Sequence, residues 1–235
     1  FVRMNYPGHG KVSLDKVPLG SIVEFHIGGG WGKDEESDDH PEKAFVIRGT
    51  DINRLKRGNT STLPLRWHKT SNLKSRKLKD GDIVFEVSGG SSNEGVAKSY
   101  LVLESMLNTL NQNVMCASFC KLLRLKNTKL SALLYLQLQT LRNQKATEVF
   151  EKKSASSIIN FNWEAFLKYQ TFQIPSNEEL ERINNMIYPL LNSINVLGDQ
   201  INKLNDARNL LLPRLLSGMI DIDEVKYNYP KEISA

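Results

Sequence analysis

Histidine, cysteine and carboxylate side chains are the groups from which catalytic and metal sites are built, and their spacing in this chain builds neither. His9, His26, His40 and His68 are scattered, and none stands at a metal-ligand spacing from a cysteine or another histidine. Cys116 and Cys120 lie four apart in an apolar run, which suits core packing better than redox work. Two cysteines in 235 residues make no disulfide framework, so the cytoplasm is the expected compartment. The segment Gly28-Gly29-Gly30-Trp31-Gly32-Lys33-Asp34 has the outline of a phosphate loop. It is one residue short between its glycines, and Asp34 stands where a Ser or Thr would hold magnesium. The acidic run from 34 to 42 matches no calcium loop and reads as a solvated loop. No nucleophile elbow or dinucleotide fingerprint is present.

Basic residues offer a different chemistry. Residues 1–176 carry 25 Lys/Arg against 17 Asp/Glu, whereas residues 177–235 carry 6 against 9. Within 48–79 ten basic residues accompany a single acid, Asp51. Such a density attracts a polyanion, because displaced counterions favour binding to nucleic acid. The competing reading is a solvated basic loop. Glycine corners at Gly28–Gly32 and Gly89–Gly90 each follow a strand, where a backbone N–H can meet a phosphate or simply turn. Trp31 and Trp67, beside Lys33, Arg66, His68 and Lys69, suit a core and a contact surface equally.

The elements that must position these residues fall into two unlike parts, for an α+β chain overall. Strand signals cover Val17–Ile27, Ala44–Arg48, Ile83–Val87, Val96–Leu103, Val114–Leu125 and Gln170–Ile174. Helical spacing covers Leu130–Phe150 and Trp163–Tyr169. Beyond Pro175 the pattern changes. From Leu180 to Leu215 a 3-4 spacing runs through Leu180, Ile183, Ile187, Leu190, Ile194, Leu197, Ile201, Leu204, Arg208, Leu211 and Leu215, with only Arg208 polar. A 3.5-residue period gives a narrow seam that buries itself only against another long helix. Ser176 followed by Glu179 forms a capping box at its start, and Gly218 marks its stop. About forty residues at 1.5 Å each make an arm of roughly 60 Å. Pro189 and Pro213 are expected to kink it. Boundaries follow: a lead-in at 1–16, a mixed domain at 17–175, the helix at 176–218 and a tail at 219–235. No stretch approaches ~18 consecutive apolar residues and no signal-peptide pattern opens the chain, so no membrane span is expected. Phe1 in place of Met is expected of a processed chain or a piece of a longer one.

The tail Ala207-Arg208-Asn209-Leu210-Leu211-Leu212-Pro213-Arg214-Leu215-Leu216-Ser217-Gly218-Met219-Ile220 resembles the end of the long helix in specificity subunits of type I restriction-modification enzymes. The approach from Ile174 to Ile183 is similar to the same family's Pro-rich helix entry, with Glu179-Leu180 where Glu-Gln is common. Leu19–Phe25 with Gly28–Gly30, Leu78–Phe85 and Leu134–Gln139 resemble, in order, segments of that family's target-recognition domain. Such subunits typically carry two recognition domains and two helices that pack antiparallel as a ruler between DNA half-sites. One of each is present here.

The resemblance implies half a specificity subunit, whether a natural half, a truncation or a fragment. It implies a non-catalytic protein that directs a separate adenine methyltransferase subunit and a separate restriction subunit to a bipartite duplex target. S-adenosylmethionine and ATP with magnesium would then belong to those partners, with no cofactor in this chain. A homodimer through the seam would read an inverted repeat with a spacer. Arg208 either sets register in that seam or snorkels out of it. Expected DNA contacts are Arg48, Arg54, Lys56, Arg57, Arg66, Lys69, Lys74, Arg76 and Lys77, with Gly29, Gly30, Gly89 and Gly90. The alternative is a coiled-coil adaptor with a basic surface and no sequence-specific DNA recognition. An enzyme with an unfamiliar site ranks last.

Overall fold

The computed structural model describes residues 15–89, 95–153 and 158–220. In chain order the elements are β1 (Asp15–Pro18), α1 (Leu19–Ile22), β2 (Val23–Gly28), β3 (Glu42–Ile47), α2 (Ile52–Leu55), β4 (Leu65–His68), α3 (Thr70–Arg76), β5 (Ile83–Glu86) and β6 (Ser88–Gly89). They continue with β7 (Ser99–Leu101), α4 (Glu104–Leu110), β8 (Asn113–Cys116), β9 (Cys120–Leu125), α5 (Ser131–Asn143), β10 (Glu151–Lys153), β11 (Ile159–Phe161), α6 (Trp163–Tyr169), β12 (Thr171–Ile174) and α7 (Asn177–Leu216).

A four-stranded antiparallel sheet, ordered β2-β9-β5-β7, runs through the middle of the domain. Its central strands are buried on both faces, which is why Ile83-Val84-Phe85 is an unbroken apolar run. Strand alternation sends Ile83, Phe85, Leu123 and Leu125 to one core and Val84 and Leu122 to the other. The first core packs against α5, α6 and the start of α7. Phe166 sits at its centre, fully buried, with ring centroids of Phe85 at 5.5 Å and of Phe150 and Phe161 at 5.1 Å. The second core packs against a mixed sheet ordered β4-β3-β8, in which β3 runs parallel to β8, and against α2 and α4. Cys116 and Cys120 are free thiols buried in that core, and burial pushes the Cys116 thiol up to about 12, a packing role. At the domain's ends β1 pairs antiparallel with β12, so the chain leaves for α7 beside where it entered.

Several expected elements differ in detail. Val17–Ile27 is divided by the turn of α1. Val114–Leu125 is two strands in different sheets, because Ala117–Phe119 turns the chain between them. The helix expected over Leu130–Phe150 ends at Asn143, with Lys145 at φ 58° closing it. Asp82 explains the turn before β5: it accepts the Lys79 N–H at 2.7 Å and a forked pair from Arg124 at 2.8 and 2.6 Å.

Helix α7 begins as the capping box requires, with the Ser176 hydroxyl accepting from the Glu179 N–H at 3.3 Å. It runs unbroken for 40 residues through both Pro189 and Pro213. Its first half lies on the domain. Leu180, Ile183, Ile187, Tyr188 and Leu191 join the first core, Asn184 donates to the Lys129 carbonyl at 2.8 Å, and Ser105 of α4 bonds to both Asn192 and Asn195. Gly198 closes this contact. A Cβ there would lie 2.4 Å from the Gly58 Cα, so the two backbones touch as only glycines can.

From Lys203 to Met219 every residue of the arm is exposed. The expected seam therefore divides. Leu180, Ile183 and Ile187 are claimed by the chain's own domain, a correction to the expectation that they pair with another helix. Leu190, Ile194, Leu197, Ile201, Leu204, Leu211 and Leu215 are exposed, Leu204 by 70%, and Arg208 is exposed among them.

Candidate nucleic-acid interface

The basic stretch folds into three short elements, and they separate its cations into two kinds. Arg66, on β4, is buried: it pairs with Asp34, lies 4.6 Å over the Trp31 ring and donates to the Trp31 carbonyl at 3.4 Å. Arg48 forks onto Asp51 at two distances of 2.8 Å and also reaches the Thr62 carbonyl. Lys56 donates to Gln139 of α5 at 2.5 Å, and burial, reinforced by Arg142 and Lys98, lowers its pKa to about 8. Arg76 spends its guanidinium on the Gly28 carbonyl at 3.0 Å and on Asn72 and Ser75. All four were expected at a DNA surface, and each holds partners within the domain: Arg66 is buried, Lys56 and Arg76 are half-buried, and the Arg48 side chain keeps 39% of its surface exposed.

The second kind is exposed. Lys69, Lys74 and Lys77 flank and cap α3, while Arg54 and Arg57 lie on and just beyond α2, next to the Gly58 contact with the arm. The structure thus gathers three lysines around one short helix and leaves two arginines exposed in the segment that leads to Gly58. Lys43 lies 5.2 Å over the Trp67 ring.

Gly29 and Gly30 do not offer the amides expected of them. Gly29 N–H donates to the Cys120 carbonyl at 3.0 Å and Gly30 N–H to the Cys116 carbonyl at 2.9 Å. A Cβ on Gly29 would meet the Cys116 carbonyl oxygen at 2.0 Å, so that glycine serves strand packing. Gly89, at φ 115°, pairs within β6 and β11, and Gly90 lies outside the described residues.

His26 and His68 pack within the domain. His26 Nδ1 accepts from the Trp163 indole at 3.3 Å. His68 is buried, and desolvation, with His40 and Arg66 nearby, holds its pKa below the usual value. Among the described residues no group of three or more His, Cys, Asp or Glu could hold a metal ion, and no helix is long and apolar enough to cross a membrane.

One concavity was missed by reading the sequence for charge. The exit of α3, the end of α4 and the start of β8 converge on an open groove of about 420 Å³, lined by Lys77, Leu107, Asn108, Asn111, Gln112 and Asn113. Its frame is fixed by backbone bonds: Leu78 N–H to the Val114 carbonyl at 2.9 Å, and Asn111 N–H to the Leu107 carbonyl at 3.1 Å. Asn111 adopts φ 46°, a left-handed helix end that asparagine tolerates better than most side chains. The signal was present as four amides between 108 and 113.

No protein-family model matches the sequence, and no curated protein matches it. Solved structures do. The S subunit of a type I restriction-modification system from M. genitalium superposes with a TM-score of 0.59 at 15% identity, covering 90% of this chain and 48% of that one. A chain from work on complex assembly and conformational transition of the type I R-M system gives 0.48 at 14% identity, covering 88% and 45%. The HsdS subunit from Thermoanaerobacter tengcongensis gives 0.39 at 15%, covering 89% and 46%. The chain spans about half the length of these structures. Its fold is that of one half of a type I restriction-modification S subunit, an α+β domain carrying one long helix.

Proposed function

We propose that this chain is a sequence-specific, double-stranded DNA-binding specificity subunit of a type I restriction-modification system. It is non-catalytic and directs a separate adenine methyltransferase subunit, and a separate nuclease-translocase subunit, to a bipartite target. The observation that carries this reading is the fold likeness over 90% of the chain, arm included, to one half of an S subunit. Two features of the chain support it. Lys69, Lys74 and Lys77 stand exposed on and at the two ends of one short helix, with no acid from 69 to 79. Seven apolar side chains from Leu190 to Leu215 stand exposed at 3-4 spacing on an arm that leaves the domain. In this reading the arm pairs with a second copy and fixes the distance between two identical domains, so that the target is an inverted repeat with a spacer.

Duplex binding measured against salt tests the DNA surface. Each neutralised phosphate contributes about 0.9 to the slope of log K against log salt, so replacing Lys69, Lys74 and Lys77 by Ala will flatten it by roughly 2.7. An unchanged slope removes these lysines from the interface. An adaptor whose basic surface serves only solubility would give weak, sequence-blind binding before and after substitution.

A further inference from the structure

We infer that the groove between α4 and β8 is a base-reading surface, in which the amides of Asn108, Asn111 and Gln112 recognise an A·T pair through the adenine edge while Lys77 meets the adjoining phosphate. This rests on the DNA-binding reading above and names the residues that would give it specificity.

An adenine presents an acceptor, N7, beside a donor, the N6 amino group, in the major groove. A carboxamide presents a donor beside an acceptor at matching spacing, so asparagine and glutamine pair with adenine through two hydrogen bonds at once. Four carboxamides line this one groove, and those of Asn108, Asn111 and Gln112 are exposed. Asn113 is held back by donating to the Lys43 carbonyl at 3.4 Å. The lining contains no carboxylate to repel a phosphate, and its one charged side chain is Lys77, with Lys74 and Lys79 exposed close by in sequence.

The amides also stand on fixed backbone. Asn111 terminates α4 in a left-handed conformation, Gln112 follows it, and Asn113 enters β8, which is paired along its length with β3. Side chains on a framework already ordered lose less freedom on binding, which favours discrimination between bases. The lysines of α3 carry no such information, because ammonium groups read phosphate rather than sequence.

The test selects from a random duplex library with the full chain, then with Asn108→Ala/Gln112→Ala and separately with Asn111→Gly, which keeps the left-handed backbone while removing the amide. Discrimination at one or two A·T positions is expected to fall about ten- to hundred-fold, with non-cognate affinity and the salt slope unchanged. Selection of the same sequence with undiminished discrimination would overturn the inference, as would a parallel loss on all duplexes. Loss of methyltransferase binding with unchanged sequence selection would also overturn it, by making the groove a protein site. If the unsubstituted chain selects no sequence, the proposed function itself fails and this inference with it.

Discussion

Replacing Leu197 and Ile201 with aspartate is expected to abolish the self-association proposed for the arm, leaving a folded monomer. Both side chains are more than half exposed in the single chain, at 56% and 57%, so the domain's own cores lose nothing by the change. In a two-fold pair four such side chains would be buried together. At roughly 1.5–3 kcal/mol for each large aliphatic side chain, the pair would lose about 6–12 kcal/mol before any cost of burying carboxylates. That weakens association by a factor on the order of 10⁴ or more. Sedimentation equilibrium reads the mass, and circular dichroism checks that the domain remains folded. A monomeric unsubstituted chain at micromolar concentration would sink the seam's role in self-association, and so would a variant that stays dimeric.

Gly198→Ala is expected to destabilise the protein even though alanine is the better helix former. In an exposed helix the change would gain about 1 kcal/mol. Here the new Cβ would lie 2.4–2.5 Å from the Cα, carbonyl carbon and oxygen of Gly58, all of them backbone. Gly58 cannot simply retreat, since it holds φ 71° and its N–H donates to the Leu55 carbonyl at 2.8 Å. The helix must lift, which strains the Ser105 bonds to Asn192 and Asn195 and the packing of Leu191. Overpacking at about 1–3 kcal/mol and two hydrogen bonds at about 0.5–1.5 each outweigh the propensity gain, for a net loss of roughly 1–5 kcal/mol. For a chain of this size that corresponds to a Tm lower by about 2–20 °C. A Tm equal to or above that of the unsubstituted protein would show that the arm does not dock through these glycines.

These two positions also mark what could be read from the sequence. The arm itself was legible to within two residues at each end, because a capping box, a 3.5 period and a terminal glycine all point the same way. The helix at Trp163–Tyr169 and the strands near Ala44 and Ile83 were legible for similar reasons. The face by which the arm docks was not. Reading by hydrophobicity selects Leu190, Ile194 and Leu197, whereas the docked face continues through Tyr188, Leu191, Asn195 and Gly198. Close approach of two backbones needs a small residue, and a bond to Ser105 needs an amide. The docked face is therefore the less apolar of the two.

Within the basic stretch the same limit applies. Its density was visible, but whether a guanidinium faces solvent depends on partners distant in sequence: Asp34 and Trp31 for Arg66, the Gly28 carbonyl for Arg76. The short helices α3 and α4 left no periodic trace, since each buries a single side chain, Leu73 and Met106, whereas α6 of the same length buries both Trp163 and Phe166. The amide groove they frame could be found only once they were placed.

The central claim, that this chain selects a DNA target for a methyltransferase, is tested most directly by mapping adenine methylation on a plasmid. The chain would be co-expressed with a type I methyltransferase subunit that binds it. The account predicts methylated adenines in a spaced inverted repeat, lost when this chain is omitted. An unmethylated plasmid, with both proteins folded and bound to each other, would contradict it.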